Sequence, residues 1–81
     1  MAIRSQEEVL EVIRTALAIK PGELSLNSAI GNVAEWDSLG HLGILSALDK
    51  FFDGKVAPIK DMAMADSVNK ILELLKENSL I

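Results

Sequence analysis

The stretch Glu35-Trp36-Asp37-Ser38-Leu39-Gly40-His41-Leu42 gathers the groups in this chain best suited to chemistry, including its only tryptophan and only histidine. Three kinds of chemistry fit these residue types. Ser38 and His41, three apart, could pair as nucleophile and general base, as hydrolases require. A chain of 81 residues, however, leaves little room for a substrate cleft or an oxyanion hole. Asp37 and His41, four apart, could share a metal ion on one helix face, but the sequence offers no third ligand beside them. Ser38 could instead serve as an attachment point. A hydroxyl in the first turn of a helix is accessible and lies among unpaired amides, where the helix dipole favours a phosphate ester. The plain reading is that Asp37 and Ser38 cap a helix. Spacing alone favours it, because Asp-Ser is a common dipeptide.

The elements that must position this stretch read as helices. Leu and Ala supply more than half of the hydrophobic residues, and both favour helix over strand. A first helix is expected from about Ser5 to Ile19. It opens on a Ser5/Glu8 capping box and carries Val9, Val12, Ile13, Ala16 and Leu17 at helical spacing, with Pro21-Gly22 as its stop. Residues 23–37 form a long loop punctuated by Ser, Asn and Gly, with Trp36 as one of its apolar anchors. Loops of this length are uncommon in small domains and often functional. A second helix is expected from Asp37 or Ser38 to about Phe52. Leu39, Leu42, Leu45, Leu48 and Phe52 make its stripe, Ile44 and Phe51 widen it, and one of the adjacent phenylalanines must stay partly exposed. Gly40 and Gly43 each cost this helix about 1 kcal/mol relative to Ala, which marks either close packing or a functional surface. After an irregular stretch over 55–66, with one helical turn between Lys60 and Ala65, a last helix runs from Asp66 or Ser67 to about Asn78. Val68, Ile71, Leu72 and Leu75 form its buried face. The expected fold is all-α, a single domain over 1–81. It is a small four-helix bundle of three main helices and a short third one, with a long loop between helices 1 and 2.

Composition removes other classes. Absence of cysteine excludes disulfides and leaves His41 as the one strong nitrogen ligand for a structural zinc. A net charge of −4 argues against nucleic acid and against anionic membrane surfaces. No apolar run approaches the roughly 20 residues that span a bilayer. Met1-Ala2-Ile3-Arg4-Ser5 has no apolar run behind its charge, so no secretory signal is expected. These readings favour a soluble, monomeric, cytoplasmic domain.

Asp37-Ser38-Leu39 in this setting resembles the phosphopantetheine attachment motif of the acyl carrier protein family. The resemblance extends over nearly the whole chain, from a first amphipathic helix and a long loop to a serine opening the second helix. A short third element and a last helix opening on Ser67-Val68 complete it. Leu42, Ala47, Leu48 and Phe52 fall where the family has apolar residues after its serine. The resemblance implies a carrier rather than an enzyme. A phosphopantetheinyl transferase would place a 4'-phosphopantetheine arm from coenzyme A on Ser38, and the arm's thiol would hold acyl or aminoacyl cargo as a thioester. A chain without cysteine depends on such a borrowed thiol. It implies further that Asp37 helps to position the transferase and its metal ion and that Leu39 and Leu42 face partner enzymes. His41 is expected as a partly exposed surface residue beside the arm, with contact to the prosthetic group or a partner the lesser expectation. Met62 and Met64 are candidates for the acyl-facing side, with ordinary core packing the stronger expectation.

One departure from the family pattern bears on partners. Carriers of fatty-acid synthesis have a second helix rich in acids, whereas here the matching positions hold Gly40, Gly43, Lys50 and Phe51, with only Asp49 and Asp53 acidic late in the segment. Charge complementarity sets encounter rate and partner choice. Trp-Asp-Ser-Leu-Gly-His is similar instead to stand-alone bacterial carriers of specialised acyl, aminoacyl, polyketide or surface-polysaccharide pathways. Without the resemblance, the rival reading is an unmodified helical module that binds a partner protein through its second helix.

Overall fold

Ser5 opens the first helix as read from the sequence. Its Oγ accepts the Glu8 N–H while Glu8 Oε1 accepts the Ser5 N–H, satisfying two orphan amides at once. The computed structural model describes residues 5–20 and 22–81. The opening Met1–Arg4, read above for a leader, and Pro21, read as part of a helix stop, lie outside the described residues. Helix α1 spans Gln6–Leu17 and ends earlier than expected. Ala18 adopts a left-handed conformation, and Arg14 Nη1 donates to the Ile19 carbonyl at 2.8 Å, turning the chain before Gly22 is reached. Val9, Ile13 and Leu17 point into the core, while Val12 and Ala16 are half-buried at its margin.

The loop that follows is held to the far end of the chain by backbone bonds. The Ile30 N–H donates to the Asp66 carbonyl and the Val68 N–H to the Ser28 carbonyl, each at 3.0 Å, forming an isolated bridge between Ala29 and Ser67. The loop therefore spends its polar backbone on the start of the last helix and its largest side chain, Trp36, on the core. Helix α2, Ser38–Phe51, is capped by Asp37. A single 3₁₀ segment, η1, covers Lys60–Met64, where one helical turn was expected. Helix α3, Val68–Glu77, is capped by Ser67 and buries Val68, Ile71, Leu72, Leu74 and Leu75. The described residues thus make a small, mostly helical fold with no strand beyond the isolated bridge. No buried side-chain polar atom among them lacks a hydrogen-bond partner.

Helix α2 faces the core differently from the expected stripe. His41, Ile44 and Leu48 point inward and Phe52 follows them, whereas Leu39 and Leu42 point to solvent. The inward set keeps the helical spacing of three and four, but begins with a histidine that an apolar pattern skips. Phe52 is buried and Phe51 half-buried, their rings edge to face at 5.1 Å, as adjacent positions require. The two methionines separate in the same way. Met62 is fully packed and Met64 exposed.

Candidate functional site

Asp37 sets the start of α2. Its Oδ1 accepts the Gly40 N–H at 2.8 Å and its carbonyl accepts the His41 N–H at 2.8 Å, so both ends of the residue serve the first turn. Ser38 is therefore the first helical residue. It is exposed, its hydroxyl makes no hydrogen bond to the described residues, and the N–H groups of Ser38 and Leu39 are likewise unpaired. No acidic residue follows in that first turn, and between Ser38 and Leu48 the helix carries no formal charge. An anion joined to the Ser38 hydroxyl would meet free donors and the positive end of the helix dipole, with the adjoining Asp37 carboxylate to oppose it. These residues fit a phosphate ester at Ser38.

Three large apolar side chains stand well exposed on α2 and η1: Leu39 at 77% and Leu42 at 63% on the helix that carries this serine, and Met64 at 80% on η1. Leu42 also borders a groove of about 380 Å³ between α2 and η1, whose other walls include Leu45, Ile59, Met62 and Ala63. A second groove, of about 410 Å³, lies between α1 and α2 beside Val12, Ala16, Ala47 and Phe51, along the opposite flank of α2.

His41 departs from its expected place. Instead of lying partly exposed it is 7% exposed, with both ring nitrogens occupied. Trp36 Nε1 donates to His41 Nδ1 at 3.1 Å, and His41 Nε2 lies 3.0 Å from the Met62 carbonyl oxygen. Indole supplies only a donor and the carbonyl only an acceptor, which fixes the imidazole as the neutral Nε2–H tautomer. The structure therefore does not pair Ser38 with His41 as nucleophile and base, nor Asp37 with His41 as ligands of one metal. The imidazole lies inside, tying the loop, α2 and η1 together. Among the described residues no group of three His, Asp or Glu side chains is placed to hold a metal ion. Sequence reasoning found Trp36 as an anchor but missed its partner. The clue was available in composition alone, since a tryptophan facing inward needs an acceptor and His41 is one helical turn past Asp37.

Gly40 was singled out for its cost, and the structure supplies the reason. A Cβ built there would stand 2.3 Å from the Glu35 carbonyl oxygen and 3.0 Å from Leu17 Cδ2. The glycine lets the loop lie directly against the first turn of α2. Gly43 is different, since its Cβ would meet only the Ala16 carbonyl oxygen, at 3.8 Å.

Compared with protein-family models, curated proteins and solved structures, the chain finds no match.

Proposed function

We propose that this protein is a carrier of the acyl carrier type, modified on Ser38 by 4'-phosphopantetheine and handing acyl or aminoacyl intermediates between enzymes. The observation that carries the reading is the state of Ser38: exposed, unbonded, first in its helix, and flanked by free amides. With η1 counted as its short third element, the chain reads as a small four-helix bundle of that kind. The Ser38 oxygen, facing solvent where a transferase can reach it, would lose its proton and bond to the pantetheine-side phosphorus of coenzyme A, whose pyrophosphate linkage breaks to release adenosine 3',5'-bisphosphate and leave a phosphodiester on the serine. When bound, the arm supplies the thiol that the chain lacks. The chain's own part is to hold the serine on a rigid helix end, with Asp37 fixing that end and leaving one carboxylate oxygen free toward the transferase. Leu39 and Leu42, exposed three residues apart near the start of α2, serve partner enzymes that load and unload the arm. His41 supports them indirectly, by holding the helix end in place from inside.

The near absence of charge on α2 points the reading toward partners with neutral, apolar docking surfaces, and so toward a specialised bacterial pathway rather than fatty-acid synthesis. A monomer in the cytoplasm belongs to the same proposal. What bears on location is that no helix among the described residues is long and apolar enough to cross a membrane.

The alternative, an unmodified interaction module, draws on the same exposed Leu39, Leu42 and Met64. Incubation with coenzyme A and a broad-specificity phosphopantetheinyl transferase, followed by intact mass, separates the two. The carrier gains one phosphopantetheine increment, and Ser38→Ala gains none. A wild-type protein that stays unmodified while a known carrier is modified alongside it refutes the proposal, as does an increment that survives Ser38→Ala.

A further inference from the structure

Charge is spread unevenly over the helical elements. Helix α2 sets Asp49 beside Lys50, η1 sets Lys60 beside Asp61, and α3 balances Lys70 and Lys76 against Glu73 and Glu77. Only α1 departs from neutrality, with Glu7, Glu8 and Glu11 against Arg14, a net −2. Arg14 pairs with Glu11, so the surplus rests on Glu7 and Glu8. All three carboxylates are exposed.

This acidic helix borders the groove of about 410 Å³ that it shares with α2. Gly43 stands against Ala16, where a Cβ would meet the carbonyl oxygen at 3.8 Å. One and two turns further along α2 come Ala47 and Phe51, and one and two turns back along α1 come Val12 and Glu8. These four share the groove, so the two helices run antiparallel beside it. The crease therefore extends over roughly two helical turns, about 12 Å. Its floor is apolar, since Val12, Ala16, Ala47 and Phe51 are only half-buried. Glu8 and Glu11 form part of its wall, and no Lys or Arg is among the described residues that line it. Small residues at Ala16, Gly43 and Ala47 leave room for a third helix to approach closely.

We propose that this crease is a docking site for a cationic amphipathic helix of a partner protein. Its apolar face would lie on Val12, Ala16, Ala47 and Phe51, and its Lys or Arg residues beside the α1 carboxylates. A second copy of this chain supplies no such helix, because α2 and α3 are neutral and α1 is itself acidic. The crease lies along the flank of α2 opposite the groove that Leu42 borders. Docking there needs no arm on Ser38, so the unmodified chain tests it.

The probe is a synthetic peptide with leucines on one helical face and lysines on the other. It should shift the amide NMR signals of Val12, Thr15, Ala16, Gly43 and Ala47 and leave those of Leu39 and Leu42 in place. The same peptide with glutamate for each lysine should not bind. Thr15→Lys adds a positive charge at an exposed position of the wall. Glu8→Gln removes a negative one and keeps the capping box. Each should weaken binding by up to about fivefold. Affinity unchanged in both variants, equal binding of the glutamate peptide, or shifts centred on Leu39 and Leu42 overturns the proposal. So does the absence of any shift. Crease amides that shift with protein concentration alone also overturn it, by assigning the crease to a second copy.

Discussion

Substituting alanine at Gly40 and at Gly43 should move stability in opposite directions, although both glycines sit inside the same helix. On intrinsic propensity each replacement gains about 1 kcal/mol. At Gly43 nothing opposes that gain, because the new Cβ would rest 3.8 Å from the Ala16 carbonyl oxygen, an ordinary contact. At Gly40 the Cβ would stand 2.3 Å from the Glu35 carbonyl oxygen, about 1 Å closer than carbon and oxygen usually approach. The obstacle is backbone, and the Leu17 side chain closes the other side at 3.0 Å, so the segment Glu35–Trp36 must give way. Overpacking costs about 1–3 kcal/mol, and an immovable neighbour places this case near the upper end. Net of propensity, Gly40→Ala should lose about 2 kcal/mol, a large share of the roughly 3–5 kcal/mol that a core of this size supplies. Thermal melting followed by far-ultraviolet circular dichroism should show Gly40→Ala lower by roughly 8–16 °C and Gly43→Ala higher by up to about 4–8 °C. Gly40→Ala should also disturb Trp36 emission, because the displaced carbonyl belongs to the preceding residue. A Gly40→Ala protein that melts at or above the wild-type temperature would refute the close approach of loop and helix on which this reasoning depends.

Three further outcomes follow from the same geometry. Asp37→Ala removes the side chain that caps Gly40 and should cost about 1 kcal/mol in urea unfolding, while Asp37→Asn should keep most of it. Leu39→Ala, Leu42→Ala and Ser38→Ala should each stay within about 0.5 kcal/mol of wild type, since these side chains are exposed and Ser38 Oγ is unbonded; a larger loss at either leucine would mean that it packs inward. The Arg14 guanidinium, hydrogen-bonded to Glu11, holds the Glu11 carboxyl below the usual carboxylate range. The pair's small contribution is thus present above that range and lost as pH falls through the folded-state value, which carboxyl NMR in wild type and Arg14→Gln should show as a titration moving upward in the variant.

The helices were legible in the sequence because their signals are local. The Ser5/Glu8 box, the Asp37 cap and the Ser67 cap each act within a few residues, and all three form. The end of α1 was misplaced because Ala18 turns the chain in a left-handed conformation that alanine's own preferences do not announce. The orientation of α2 was misread because its inward face includes a polar residue, and the partners that permit His41 to be buried come from five and from 21 residues away. The position of Ser38 in the candidate site was readable from its cap. The reason for Gly40 was not, since the carbonyl that excludes a side chain there belongs to a loop whose path no periodicity describes.

Helix α2 places a histidine where a leucine would pack more simply and leaves two leucines in solvent. Taken singly, an exposed leucine requires no explanation. Together with a buried imidazole, the pattern has a physical logic. Rotating the helix to bury Leu39 and Leu42 would carry His41 outward, strand the Trp36 N–H in the core and remove the donor to the Met62 carbonyl. The hydrogen bonds that join Trp36, His41 and Met62 thus fix the rotation of the helix, and that rotation leaves the two leucines exposed on the helix that Ser38 opens. This yields a test that joins the inner and outer faces. His41→Leu, which removes the polar constraint, should loosen the start of α2 and speed amide exchange at Gly40 and His41→Leu itself relative to the amides of Leu45–Leu48. If exchange in the first turn of α2 is unchanged in that variant, the His41 hydrogen bonds do not set the helix orientation, and the exposure of Leu39 and Leu42 needs another cause.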